Sequence, residues 1–184
     1  YIMVGDRRQI EQIAADEGLD IRRMDIVHTE SYMTMEDDPL SVVRAKSDSS
    51  MAVGLRMLAD GKGDAFVSSG NTGALFTGAT LIVRKVKGVL RAGIGTVLPF
   101  QNPVLLLDTG ANVTVTPENL EQFGSMGSAY MRKMFGIERP RVGLLNNGTE
   151  SCKGTELQQT AYRLLSEDKD INFVGNVEAG TAPF

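Results

Sequence analysis

The chain is poor in the residues that most side-chain chemistries require. Among 184 residues it has one cysteine, Cys152, and one histidine, His28. A single cysteine excludes an internal disulfide and fits a reducing cytoplasm, where the sequons Asn112-Val-Thr114 and Asn147-Gly-Thr149 carry no glycosylation meaning. A single histidine gives little support to a Ser-His-Asp or Cys-His mechanism. His28 falls in a short strand before an acidic loop with no nucleophile to serve, and reads as structural. Cys152 has a cationic neighbour in Lys153 but no partner thiol, so it reads as an incidental cysteine. Charge of one sign is also lacking. The formal net charge of −4 argues against a general nucleic-acid binder, so no nucleic-acid partner is expected. No apolar run reaches the roughly 20 residues of a membrane span. Tyr1-Ile-Met-Val-Gly5 reads as a strand entering a turn rather than as a leader, with an earlier strand expected before it. Asp37, Asp38, Asp108 and Glu150 do not stand at a diagnostic metal-ligand spacing, so no metal is assigned. Internal repeats, linkers and low-complexity segments are absent from the pattern.

What is present is an alternation of short apolar runs and helical periods. The 42% hydrophobic content and the length are those of one α/β domain over 1–184. Asp6 is placed to cap a helix through Ile10, Ile13 and Ala14 that stops near Gly18. Asp25–Thr29 is a second strand, residues 30–39 form an acidic, Met-rich loop, and two helical pieces follow. The second begins near Ser50 and turns Met51, Leu55 and Leu58 inward before Gly61. Ala65–Val67 reads as a buried central strand. From Ala74 a helix runs through Leu75, Ala79, Ile82, Val83 and Val86, ending in the cations Arg84, Lys85 and Lys87 before Gly88. With Arg91 these form a basic cluster at a solvated helix end, which an acidic partner protein would also fit. Ala92–Leu98 and Val104–Asp108 are strand-length runs. Thr116-Pro117-Glu118 opens a helix that buries Leu120, Phe123, Met131 and Met134 and closes at Gly136. Arg141–Asn146 is a strand, Thr155 with Gln158 resembles a capping box, and Ile171–Val174 is the last strand. The nine methionines fall mostly at core spacing. Near-continuous apolar strands between helices predict a mainly parallel sheet.

The stretch Gly63-Asp-Ala-Phe-Val-Ser-Ser-Gly-Asn-Thr-Gly-Ala74 organises this pattern. A strand entering a small, polar, glycine-containing turn before a helix can bind an anion, because free N–H groups and the positive helix end point at it. Ser68, Ser69, Gly70, Asn71, Thr72 and Gly73 are the candidates. The plainer reading is a tight connection capped by Asn71 or Thr72. The stretch is neither a P-loop nor a Gly-x-Gly-x-x-Gly turn. Three further polar loops, at 108–112, 147–153 and 175–178, stand at predicted strand C-terminal ends. Ligands bind along that edge of open α/β sheets, so Asp108, Asn112, Asn147, Glu150 and Lys153 are expected to face one cleft with Asn71. Lys153 adds charge to the positive end of the following helix, an arrangement that a bound anion relieves. Its plainer role is an exposed pair with Glu150 or Glu156.

Several of these segments are similar to a known family. The stretch 63–74, Leu106-Leu-Asp-Thr-Gly-Ala-Asn112, Pro140-Arg-Val-Gly-Leu-Leu-Asn-Asn-Gly-Thr-Glu150 with Lys153-Gly154, and Asn172-Phe-Val-Gly-Asn-Val-Glu178 resemble the bacterial PlsX phosphate acyltransferases of phospholipid synthesis. Arg44-Ala-Lys-Ser-Asp-Ser-Ser-Met51 and the Met126–Ser128 helix match as well. The resemblance implies transfer of a fatty acyl chain from acyl carrier protein to inorganic phosphate, with no cofactor. It also implies a Rossmann-like three-layer αβα fold of the isopropylmalate-dehydrogenase and phosphotransacetylase kind, a homodimer, and a cytoplasmic protein in peripheral contact with the membrane. Asn71, Lys153 and Asp108 are assigned to catalysis. Ser68, Ser69, Gly70, Asn71, Thr72, Gly73, Asn112, Asn147, Glu150 and Asn176 are assigned to phosphate or substrate binding. The family's N-terminal glycine-rich segment and its C-terminal region lie outside these residues, so the chain is expected to be a fragment. The 97–103 connection is short for the family and 180–184 departs from its pattern. Two other functions fit the residues less well: a non-catalytic module binding acyl carrier protein, and a metal- and NAD-dependent hydroxyacid dehydrogenase of similar fold.

Overall fold

Local signals set most element starts. Asp6 accepts the Arg8 N–H at 2.9 Å and begins helix α1 (Arg7–Asp16), which connects strand β1 (Ile2–Gly5) to its parallel neighbour β2 (Asp25–His28). The computed structural model describes residues 1–180; residues 181–184, most of the segment that departs from the family pattern, lie outside the described residues. It divides into two compact units, Tyr1–Val86 and a second from Lys87 onward.

In the first unit a 3-10 turn (Pro39–Val43) and helix α2 (Ser50–Ala59) follow β2, with Ser49 capping α2. Helix α3 (Thr72–Gly78) continues into one wider helical turn, Ala79–Val83. Val42, Met51, Ala52, Leu55 and Ala74 form the buried core. Gly78 is needed there, because a Cβ would run into the Leu55 side chain. Ile13, expected inward, is 58% exposed, as one short helix over two strands covers only a narrow stripe.

Two expectations for this unit need correction. Ala65–Val67 forms no strand, and Val67 is 91% exposed. Phe66 alone packs inward, its ring lying against the backbone at Gly54. The expected helix to Val86 ends at Val83, where Arg84 turns the chain with φ 72°. Lys85 and Lys87 therefore lie beyond the helix, and its end is not the glycine at 88.

In the second unit β3 (Gly95–Leu98) and β4 (Val104–Leu107) pair antiparallel. Helix α4 (Pro117–Phe135) carries the expected start and stop. Thr116 and Asn119 exchange the two capping bonds, and Gly136 takes the left-handed conformation at φ 67°. Strand β5 (Arg141–Leu145), helix α5 (Glu156–Glu167) and strand β6 (Asn172–Val177) make a parallel unit with Leu144, Ala161, Leu165 and Ile171 buried. Gly124 lets α4 approach closely, since a Cβ there would stand 2.9 Å from Leu165 and 3.4 Å from Ile171 and Val142. Met134, expected inward, stands in the final turn of the helix and is 63% exposed. The described sheets are thus two parallel pairs and one antiparallel pair, with a five-residue connection between β3 and β4. A parallel pair requires a crossover of about a dozen residues, so that connection permits only a hairpin.

Candidate functional site

The expected site residues gather in three places. In the first unit, Asn71 is buried and its side chain is fully engaged by its own chain. Its Oδ1 accepts the Ala74 N–H at 2.9 Å and caps α3. Its Nδ2 donates to the carbonyls of Thr34 at 2.9 Å and Asp37 at 3.3 Å, which docks the 30–38 loop onto the glycine-containing turn. Within that turn the Gly70 N–H bonds Ser68 Oγ at 3.2 Å. Ser69, Thr72 and Gly73 are exposed, and among the described residues the N–H groups of Thr72 and Gly73 meet no acceptor. Capping by Asn71 and open amides on the next two residues therefore coexist.

Lys46, which the sequence reading did not single out, completes this arrangement. Its Nζ bonds Asp37 Oδ2 at 2.6 Å and the Tyr32 carbonyl at 3.0 Å, while Asp37 Oδ2 also accepts the Thr34 N–H at 2.6 Å. The Lys46 bond, followed by the Thr34 N–H, holds the Asp37 carboxyl below its usual value. The 44–51 motif was the available signal for Lys46. His28 accepts the Arg7 N–H at Nδ1 (3.1 Å), a structural use.

The second place is the loop after β4. Asp108 Oδ1 accepts the N–H groups of Ile94 (2.8 Å) and Ala111 (3.2 Å), and Oδ2 accepts the Asn112 N–H (2.8 Å) and Nδ2 (3.0 Å). Partial burial pushes this carboxyl up, but the four donated bonds outweigh it and hold the group below the ordinary carboxylate value. Asn112 is engaged in turn, with Nδ2 on the Ala92 carbonyl at 2.8 Å and Oδ1 near Arg91 Nη1 at 3.4 Å. Both side chains order the loop.

The third place is the shared C-terminal edge of β5 and β6. Asn176 is buried on β6, and its Nδ2 donates to the Glu150 carbonyl at 2.7 Å, tying down the 147–153 loop. Its Oδ1 is buried without a hydrogen-bond partner among the described residues. Asn147 and Glu150 are exposed. The Lys153 stem lies across Gly148, where a Cβ would come within 2.7–2.9 Å of it, and the exposed ammonium stands 3.8 Å from Glu150. Thr155, at the cap of α5, donates its N–H to Gln158 at 2.9 Å. Parallel strands thus bring Asn147, Glu150, Lys153 and Asn176 together, while Asp108 with Asn112 and Asn71 with its turn each form a separate local cluster. Cys152 is exposed and is not bonded to another cysteine. No three His, Cys, Asp or Glu side chains converge among the described residues.

The chain is similar to several known proteins. The solved structure of the EutD phosphotransacetylase from Staphylococcus aureus matches 95% of this chain and 59% of its own at a TM-score of 0.64 and 19% identity, a likeness of α/β fold. Curated phosphate acyltransferases match almost the whole of this chain. That of Acetivibrio thermocellus is 47% identical over 178 residues, 96% of this chain and 52% of the relative. Those of Latilactobacillus sakei and Caldicellulosiruptor bescii are 44% and 43% identical, covering 97% and 100% of this chain and 53% and 55% of theirs. The chain spans about half the length of the curated relatives it matches. Residues 1–182 match the family described as fatty acid synthesis protein, and with these relatives the chain belongs to that family, the PlsX phosphate acyltransferases whose motifs it carries.

Proposed function

We propose that the protein containing this chain transfers a fatty acyl group from acyl carrier protein to inorganic phosphate, giving acyl phosphate for phospholipid synthesis. The observation that carries this reading is the loop on the β5–β6 edge, where an exposed Lys153 ammonium stands above a loop anchored by buried Asn176. Near neutral pH a substantial share of inorganic phosphate is the dianion, which attacks a thioester without a general base. The thiol, with a reference pKa of roughly 8.5, leaves without a strong general acid. The protein then has to hold phosphate, orient the carbonyl and stabilise the oxyanion, and each well-placed donor contributes about 3–4 kcal/mol to such a step.

In this scheme Lys153 steadies the phosphate or the developing oxyanion. Asn147, Glu150 and Asn176 line the binding edge, and Ser68–Gly73 offers the open amides of Thr72 and Gly73 to an anion. Asn71 and Asp108 serve catalysis by fixing their loops, with Asn112 as Asp108's partner. The chain is read as a single α/β domain of three-layer Rossmann-like form, in which each cluster contributes its own loop to the chemistry. The family resemblance supports a homodimer and a cytoplasmic protein peripherally bound to the membrane. The small-residue face of α4 is an unfavourable place for the dimer contact, because Gly124 packs on Leu165, Ile171 and Val142 of the same chain and Ser128 is buried.

The reading is tested by carrier-thiol release in the full-length protein supplied with acyl carrier protein thioester. Release that rises with phosphate and saturates supports it. Release at the same rate with phosphate omitted opposes it.

A further inference from the structure

At the opposite ends of β5 and β6 from the Lys153 loop lies a cleft of about 230 Å³, with room for several water molecules. Its wall includes Ser128 and Arg132 of α4, Glu138 and Arg139 ahead of β5, and Lys169 and Asp170 ahead of β6. Two features there are unaccounted for by the fold. Ser128 is 3% exposed, and its Oγ is buried with no hydrogen-bond partner among the described residues. A buried hydroxyl left without a partner is costly, and native structures keep few of them. Arg132, Arg139 and Lys169 bring three cations to a small space, and none forms an ion pair among the described residues. Against an anion stands the carbonyl end of α4. That end is partly neutralised, because the Gly136 N–H bonds the Arg132 carbonyl at 3.1 Å.

We propose that this cleft is a second ligand site, for a small hydroxylated phosphate monoester of the polyol or sugar phosphate kind. The planar forks of Arg132 and Arg139, with Lys169, match a phosphate dianion. Glu138 and Asp170 accept from the hydroxyl groups of the ligand. The Ser128 hydroxyl, buried within the cleft wall, gains a partner when binding shifts that wall. Three cations against two carboxylates favour a ligand that carries both a phosphate and hydroxyl donors over a bare anion. The site is independent of the acyl-transfer reading, as it uses none of the residues assigned to that reaction.

Backbone amide NMR of the full-length protein locates binding by residue. Titration with glycerol phosphate is expected to give saturable shifts at Ser128, Arg139 and Asn172. The paired variant Arg132→Gln/Arg139→Gln should weaken them at least tenfold. Lys153→Ala should leave them unchanged, which separates this site from a phosphate site on the other strand edge. Methyl phosphate, lacking hydroxyls, should bind more weakly at the same residues, and inorganic phosphate more weakly still. Retained dispersion of the amide spectrum shows that each variant is folded. No saturable shift at these residues, shifts that persist in the paired variant, or equal affinity for methyl phosphate and glycerol phosphate overturns the proposal.

Discussion

Replacing Asp108 by asparagine removes a charge from a carboxylate that holds the 108–112 loop with four accepted hydrogen bonds. The amide keeps one oxygen and presents an NH2 to two of the donors. Two bonds are lost and two N–H groups are left facing a donor in a partly buried loop. At about 0.5–1.5 kcal/mol for an ordinary net hydrogen bond and more for a charged acceptor, discounted for water reaching the loop, the loss is about 2–3 kcal/mol. For a chain of this size that lowers Tm by about 4–12 °C. The pH dependence has a definite sign. The four bonds hold the folded carboxyl below its unfolded value of 3.8, so its stabilisation is fully present above that value and is lost as pH falls through the folded value. The gap between wild type and Asp108→Asn should be constant from pH 5 to pH 8 and should narrow below about pH 4. Thermal unfolding followed by circular dichroism across this range measures it. A variant melting within about 1 °C of wild type at pH 7 refutes the reasoning, as does a gap that stays constant under acid.

Three further outcomes are expected. Lys153→Ala in the full-length protein should slow acyl-phosphate formation at least about tenfold, the loss of about 1.4 kcal/mol, with Tm nearly unchanged because the side chain is exposed; turnover near wild type at limiting and saturating phosphate would count against its role. Asn71→Ser should keep the α3 cap but lose both bonds to the 30–38 loop, whereas Asn71→Ala should lose both functions and melt lower, the cap alone being worth about 1 kcal/mol; equal melting of the two would show that the cap does not contribute. Leu165→Ala, at a side chain 2% exposed between α5 and the sheet, should cost about 2–5 kcal/mol by urea unfolding, and a cost below about 1 kcal/mol would contradict the packing described.

Element ends were legible wherever a local interaction sets them. The Thr116-Pro117 start and Gly136 stop of α4, the Asp6 cap of α1 and the Thr155–Gln158 pair all stand where residue type demanded, because caps act within three or four positions of the chain. Strand pairing was less legible, since it is decided across the sheet. The runs leading to β3 and β4 look alike in either direction, and only the five residues between them signal a hairpin. Ala65–Val67 is apolar enough for a strand, yet only Phe66 finds an apolar surface to meet. At the candidate site, the 147–153 loop after β5 was legible from parallel-strand logic, whereas 175–177, read as part of a loop, continue strand β6, where Asn176 is buried. The cap made by Asn71 was one of the two readings, but its bonds to the 30–38 loop and the bond of Asp108 to Ile94 were not legible, because those partners stand 37, 34 and 14 positions away. Lys46 was missed for the same reason, as its partner Asp37 lies in a loop without periodicity.

Phosphorus NMR of the full-length protein turning over acyl carrier protein thioester in phosphate buffer tests the proposed reaction most directly. The account predicts a new acyl phosphate resonance that grows in step with the released carrier thiol and weakens in Lys153→Ala. Thiol release with free fatty acid as the product and no acyl phosphate signal, or no release at all, would contradict it.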